Sequence, residues 1–450
     1  MTEPATPAER TERGRSVRSV VPRSSHGLLP FSEGRPDPVT LLRRQAVTRL
    51  PELVPFRYGR MAVSPFAFLR GAAVVMAADL ALQPHTGLTV QLCGDAHLLN
   101  FGVFGSPERA LLFDLNDFDE TLPGPFEWDV KRLAASLAVA AKSIGAKQGQ
   151  AREAAREAAR AYRESMRRLA GLGELTVWYE RIDTAEILPL LRGGERRRAE
   201  GRIAAARRRD SLHAVAKLTE VRGGRRRIVA RPPLITRIPA PDAETVHSIL
   251  NGYRESLPEE RRGLLDRFHF IDAAAKVVGV GSVGTRCFVV LLEGRDEEDL
   301  LVLQLKEAER SVLEEHLPSG PHDHHGHRVV AGQKLMQAAS DIFLGWTSGP
   351  DARARHFYWR QLRDMKGSAE IEAMSPGLLA RYGGLCGTAL ARAHARSGDR
   401  VAIAGYLGSG AVFEEAIADF AVQYAVRNAA DHARLVEAIA SGAVEAASET

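Results

Sequence analysis

Residues 88–119 carry the pattern that most restricts how this chain can fold. A short apolar run, Leu88–Leu92, leads to an aspartate and an asparagine with four residues between them, Asp95 and Asn100. Two further apolar runs, Phe101–Phe104 and Ala110–Leu115, are joined by Gly105-Ser-Pro-Glu-Arg109, which is a hairpin signal. An acidic turn with Asp114, Asp117 and Asp119 closes the unit. Antiparallel pairing of the two runs returns this turn to the side of Asp95 and Asn100. Helical patterns at Pro38–Leu50 and Ala72–Leu82 precede the unit, and Phe126–Ile144 and Gln148–Leu172 follow it.

An Asp and an Asn at this spacing are common by chance, and acidic turns are ordinary turn chemistry. The hairpin between them points further. Phosphoryl transfer needs a carboxylate to orient or deprotonate the acceptor hydroxyl, and oxygen ligands to hold Mg²⁺ on the phosphates. Asp95 has the place of the first. Asn100, with Asp117 and either Asp114 or Asp119, has the place of the second.

A second unit lies far downstream. Val277–Val280, Cys287–Glu293 and Leu300–Lys306 read as strands, and Gly279-Val-Gly281-Ser-Val-Gly284 joins the first two. A dinucleotide-binding glycine motif has to open a helix. Here an apolar, β-branched strand follows, so Gly279, Gly281, Ser282 and Gly284 fit a loop folded over phosphates. Lys306 then ends a strand, as expected of the lysine that pairs with the α- and β-phosphates. The competing reading is a glycine-rich hairpin turn and an edge lysine. Glu314, Glu315 or Gln333 are the candidates to hold Lys306 in place. Strands at Ile342–Thr347 and His356–Leu362 flank a helix at Arg328–Ala339 on one side, and helix continues from Pro376 to the end.

The remaining motifs carry less. His322, His324, His325 and His327 sit in a Gly- and Pro-flanked loop without metal-ligand spacing, and read as a polar loop rather than a metal site. Cys93 reads as a buried strand residue. Cys93, Cys287 and Cys386 lie too far apart for a disulfide framework, which fits a reducing, cytoplasmic setting. The polar, Arg-rich start lacks an apolar h-region, and residues 1–38 read as a poorly ordered tail. No apolar stretch is long enough to span a bilayer. Of the net charge of +5, the window Arg192–Arg231 alone holds 14 Lys/Arg against 4 Asp/Glu. Without interleaved aromatics, this window reads as a solvated helix and hairpin, with a nucleic-acid surface as the weaker alternative. Arg57, Arg60 and Arg70 either help to bind an anionic substrate or take part in surface pairs.

Cys93-Gly-Asp-Ala-His-Leu-Leu-Asn100 resembles the H-G-D-x-H-x-x-N loop of aminoglycoside and choline kinases, with Cys93 in place of the first His. Asn116-Asp-Phe-Asp-Glu-Thr121 and Gly124-Pro-Phe-Glu-Trp-Asp129 resemble their I-D-F-E-x-A…G-x-x-x-x-D-L stretch. The resemblance implies Asp95 as catalytic base, Asn100 as metal ligand, Asp117 as the principal metal aspartate with Asp119 assisting, and Asp129 as a brace for the loop. Asp114 remains an alternative to Asp117. Phe56–Met61, Ser64–Phe68, Gly94–Asn100, Asp114–Glu120, Gly332–Gln337 and Ala389–Arg396 identify the chain as a member of the bacterial family known as domain of unknown function 2252.

In ordinary kinases the glycine loop and lysine come before the catalytic loop. Here they come almost two hundred residues after it, so the resemblance implies a circularly permuted, two-lobe α+β kinase-like fold. The helix Tyr382–Arg396 would then take the place of the helix that runs into the catalytic loop, and Gln361 and Leu362 would lie near the adenine. The expected division is a helical lobe at 39–270 with a basic insertion at about 192–231, a β-rich lobe at 271–365 and a helical completion at 366–450. The expected activity is ATP- and Mg²⁺-dependent transfer to a hydroxyl of a small molecule. The alternative is a nucleotide-binding regulator without turnover.

Overall fold

A computed structural model describes residues 5–448, apart from 30–33, 189–192, 209–214, 216–217, 224, 239–242, 278, 351–354 and 363–364. The fold is α+β. Its first four strands are β1 (Thr89–Leu92), β2 (Phe101–Gly105), β3 (Leu111–Leu115) and β4 (Leu122–Pro125). β2 and β3 form the expected antiparallel hairpin, and β1 pairs with β4. Then come β5 (Thr219–Arg222), β6 (Arg225–Ile228), β7 (Ile235–Arg237), β8 (His269–Lys276), β9 (Cys287–Glu293), β10 (Leu300–Glu307), β11 (Gly345–Ser348), β12 (His356–Gln361) and the short β13 (Gly367–Ser368).

The large sheet is antiparallel throughout, in the order β11-β12-β10-β9-β8-β7. β10 is one of its two central strands and is buried along its whole length. Alternation sorts its side chains. Leu301, Leu303 and Leu305 join Tyr253 and Trp359 in one core, while Leu300 and Val302 join Val289, Leu291 and Leu362 in another. Gln304 and Lys306 share the second face.

The helical body is built around Phe126–Ser143, which is buried from Phe126 to Ala141. Helices Gln148–Ala170, Pro376–Ala395 and Val412–Ala440 pack around it. Ala- and Gly-rich faces let them approach closely: a Cβ on Gly387 would stand 2.1 Å from the Ala158 carbonyl oxygen. Among the described residues, no single helix is long and apolar enough to cross a membrane.

Three expectations need correction. The N-terminal segment is ordered: helix Pro7–Ser16 lies on helix Arg400–Leu407, and Arg10, Arg18 and Arg23 bond to Asp399 and to the Tyr406 and Leu407 carbonyls. Its arginines are satisfied by groups nearly four hundred residues away, which local composition does not reveal. The strand expected at Val277–Val280 lies earlier, at His269–Lys276, because Gly279 has φ +61° and turns the chain. The sheet also recruits β7 and helix Ala243–Glu255 from before residue 271, with Tyr253 stacked on Trp359 at 4.6 Å. The described residues of the basic window form a helix, Gly193–Arg208, and the β5–β6 strand pair; the rest of the expected window, at 192, 209–214, 216–217 and 224, lies outside the described residues.

Candidate functional site

The loop Gly94–Asn100 leaves β1 through Gly94, whose φ is +84°. A Cβ there would lie 2.2 Å from the Glu120 carbonyl oxygen, so the loop and the acidic turn touch backbone to backbone. Helix Phe126–Ser143 fixes the loop with two side chains three residues apart, on one face. Asp129 accepts from the Cys93 and Gly94 amides at 2.6 and 3.0 Å. Arg132 donates to Asp95 Oδ1 at 2.8 Å through Nε, and one terminal nitrogen, which donates to the Leu69 carbonyl at 2.6 Å, completes the ion pair 2.7 Å from the same oxygen. Helix Pro376–Ala395 seals the loop from behind. Its Tyr382 hydroxyl donates to the Phe101 carbonyl at 2.9 Å, and His394 Nε2 lies 3.2 Å from Asp129 Oδ2.

The acidic turn divides its carboxylates. Asp119 Oδ2 is paired with the Lys306 ammonium, and its Oδ1 accepts from the Tyr358 hydroxyl at 2.8 Å. Burial alone would raise the Asp119 carboxyl, but Lys306 and Tyr358 outweigh it and hold it below the usual range. Asp117 lies 3.8 Å from Lys306 Nζ, beyond hydrogen-bond reach, and its Oδ1 is buried without a hydrogen-bond partner. Burial and the neighbouring Asp119 raise its carboxyl. Lys306 is 2% exposed. Burial opposes its charge, yet Asp117 and Asp119 keep the ammonium above the usual lysine range. Ser282, in the glycine loop, donates to Asp119 Oδ2 at 3.3 Å, so the loop closes over the turn.

One cavity of about 290 Å³ joins these groups. Asp95, Asn100, Asp117, Asp119, Gly279, Gly281 and Ser282 all line it, and Lys306 reaches its floor through Asp119. Gly284 lies at the base of the glycine loop, where its carbonyl accepts from the Leu50 amide at 2.8 Å.

Other expected residues go elsewhere. Asp114 is a structural group: it is buried, both oxygens face the Arg392 guanidinium at 2.6 and 2.7 Å, and Oδ2 also accepts from the Ala338 amide. It precedes the turn on β3, so the pleat sends it away from the cavity. Gln361 and Leu362 do not line the cavity. The Gln361 amide bonds Asp341, and Leu362 is buried in the core beneath the sheet. Lys306 takes its carboxylates from the acidic turn. Glu314 faces Arg310 and Arg328, Glu315 pairs with Arg44, and Gln333 donates to Gln337.

Arg132, Tyr358 and Arg360 were not anticipated. Tyr358 and Arg360 stand at alternate positions of β12, opposite Lys306 and Gln304 of β10. Arg360 donates to Gln304 Oε1 at 2.8 Å. Two polar side chains at i and i+2 in an apolar strand were the available signal. For Arg132 the signal was its spacing of three from Asp129.

Among the described residues, no three His, Cys, Asp or Glu side chains converge closely enough to hold a metal ion. Mg²⁺ asks for less. It keeps waters and takes one or two carboxylates together with substrate phosphates. The residues fit that demand: Asp117 and Asp119 are oxygen donors, Asp117 Oδ1 lacks a hydrogen-bond partner, and the Asn100 amide nitrogen donates to the Asp95 carbonyl, leaving Oδ1 available.

Fold and cleft together define an α+β protein with a polar cavity lined by a glycine-rich loop, an acidic turn and the Asp95–Asn100 loop. The chain belongs to the bacterial family described as "Uncharacterized protein conserved in bacteria (DUF2252)", whose model matches residues 49–438. No curated protein and no solved structure matches it.

Proposed function

We propose that this protein is an ATP- and Mg²⁺-dependent phosphotransferase with a circularly permuted kinase-like fold, acting on a hydroxyl of a small molecule. The observation that carries the reading is Lys306. It starts on the third strand after residue 268, follows the glycine loop in sequence, and ends on the acidic turn beside Asp95 and Asn100. Strand, glycine loop, strand and lysine strand is the arrangement of a phosphate clamp. Permutation is supported by helix Pro376–Ala395, which lies against the Asp95 loop although it comes almost three hundred residues later.

In this reading the glycine-loop amides and Lys306 hold the nucleotide phosphates. Asn100, Asp117 and Asp119 would hold Mg²⁺, which would supply neutralisation of phosphate charge. Arg132 fixes the Asp95 carboxylate, whose Oδ2 lies 3.9 Å from His97 Nε2. Burial, then Arg70 and Arg132, hold the His97 imidazolium well below its ordinary range. The neutral ring therefore does not neutralise Asp95, and Asp95 accepts the proton of the acceptor hydroxyl.

The test is Mg·ATP binding and turnover by wild type, Asp95→Asn and Lys306→Ala. Lys306→Ala should weaken nucleotide binding by about tenfold or more, the usual worth of a charge-assisted contact. Asp95→Asn should bind normally and lose about 10²- to 10⁴-fold in turnover. If wild type binds no Mg·ATP, the reading is wrong. Binding without transfer to any acceptor would leave a nucleotide-binding regulator.

A further inference from the structure

The wall of the cavity opposite the acidic turn is made by the segments around helices Pro38–Ala46 and Pro65–Gly71. Its arginines fall into two groups. At the mouth they are neutralised: Arg44 pairs with Glu315, and Arg310 with Glu314. Deeper in they are not. Arg49 is 6% exposed and lines the cavity. One terminal nitrogen donates to the Val283 carbonyl, while its Nε is buried without a hydrogen-bond partner. Arg70 also lines the cavity, near Asp95, and its Nε is likewise buried and unpartnered. Arg57, wholly buried behind them, donates to Gln45 Oε1 at 2.6 Å and to the Gly71 carbonyl at 2.9 Å, and leaves two nitrogens without partners. Carboxylates of Glu309, Glu120 and Asp95 attract these arginines through space, but Nε of Arg49 and Arg70 and two nitrogens of Arg57 have no hydrogen-bond partner.

Burial works against the charge of all three guanidinium groups. Arginine does not escape by losing its proton. A cluster of buried, unpaired guanidinium groups is unfavourable unless an anion completes it. Two of the three face the cavity, and the planar fork of each matches the paired oxygens of a carboxylate or phosphate. Of the carboxylates that line the cavity, Asp95 is engaged by Arg132, Asp119 by Lys306 and Tyr358, and Glu120 by the Val312 amide, while Glu309 and Glu120 attract Arg49 and Arg57 only through space and leave the Nε of each unbonded.

We propose that Arg49 and Arg70, backed by Arg57 through Gln45, form an oxyanion site for the acceptor, so that the acceptor is a small hydroxy compound carrying a phosphate or carboxylate group. Arg70 sets that anion beside Asp95, which places the neighbouring hydroxyl at the catalytic loop. The inference rests on the phosphotransferase reading for the word acceptor, but the oxyanion site stands without it.

The experiment uses the full chain without nucleotide. Thermal shift and calorimetry are run with glycerol 3-phosphate, glycerate and inorganic phosphate, with glycerol as the neutral control. Mg·ATP binding is measured separately. At least one anion should raise Tm, and glycerol should not. Glycerol 3-phosphate against glycerate distinguishes a phosphate from a carboxylate site. Arg70→Gln should weaken anion binding tenfold or more and leave Mg·ATP binding within twofold. Arg70→Lys should restore part of the anion binding and shows that the site is still folded. Anion binding without Mg·ATP binding removes the phosphotransferase reading and leaves the oxyanion site. The proposal is overturned if no anion raises Tm, if Arg70→Gln leaves anion binding intact, or if Arg70→Gln weakens Mg·ATP as much as the anion, which would assign the arginines to the nucleotide.

Discussion

Asp114 and Asp117 lie three residues apart at the end of one hairpin, and the protein treats them in opposite ways. Asp114 is buried and fully matched, with both oxygens on Arg392 and a backbone amide added to Oδ2. Asp117 faces the cavity, keeps one oxygen without a hydrogen-bond partner and has its carboxyl raised by burial and by Asp119. Asp114, sealed away from the cavity with both oxygens matched, has no access to a ligand. A cavity-facing carboxylate such as Asp117, with one buried oxygen left short of partners, is a cost to the fold and marks a candidate site. Composition could not separate the two, because the difference lies in partners distant in sequence.

The strongest way to break this contrast is to exchange the two effects. Asp117→Asn should reduce phosphotransfer by about 10³-fold, since the exchange removes a negative charge that would offset Mg²⁺. Its stability should stay within about 1 kcal/mol of wild type, because the change removes a strained charge rather than a matched one. Asp114→Asn should do the reverse. Breaking a buried ion pair from one side costs about 3–5 kcal/mol, read as a lower denaturant midpoint, while Mg·ATP binding per folded molecule is retained. Loss of nucleotide binding in Asp114→Asn at conditions where the chain is folded would mean that the two carboxylates belong to one site.

The same contrast explains what was legible in the sequence. The β2–β3 hairpin, the strand carrying Lys306 and the helix at Phe126 were readable because each has a local signature: a turn between apolar runs, a short apolar run ending in a lysine, or a long apolar helical pattern. The convergence of Asp95, Asn100, Asp117 and Asp119 on one cavity followed from hairpin geometry. Arg392 on Asp114, Arg132 on Asp95 and Tyr358 on Asp119 were not readable. Each is a contact between elements, and nothing in an arginine's own neighbourhood names its carboxylate. Gln361 and Leu362 fall outside the lining of this cavity for a related reason. β12 alternates, but which face meets the cleft is set by its pairing with β10, where Tyr358 and Arg360 oppose Lys306 and Gln304.

The histidine cluster tests how far unpartnered polar atoms can be read as ligand sites, and its expected effect is the smallest. His324 Nε2 and His325 Nδ1 are also buried without hydrogen-bond partners. Yet His324 serves the fold: its Nδ1 accepts from the His327 amide at 3.2 Å and caps helix His325–Met336, and its ring stacks on His356 at 3.9 Å. Burial first, then the neighbouring histidines, lower its pKa to about 4. A lowered imidazolium pKa means that the unfolded chain binds the proton first as pH falls. Stability from this group is therefore present above about pH 6.5 and declines as pH falls towards 4. The ring is about half buried, so the loss between pH 7 and pH 5 should be about 1 kcal/mol after allowance for solvent screening. His324→Asn keeps a good cap and cannot titrate. It should flatten the stability–pH curve over that interval by about that amount, while stability at pH 8 changes by less than about 1 kcal/mol. An unchanged slope would show that the ring is solvated when charged. A Zn²⁺-dependent rise in Tm, abolished by His324→Asn, would instead make the cluster a ligand site, and unpartnered nitrogen would then mean here what unpartnered oxygen means at Asp117.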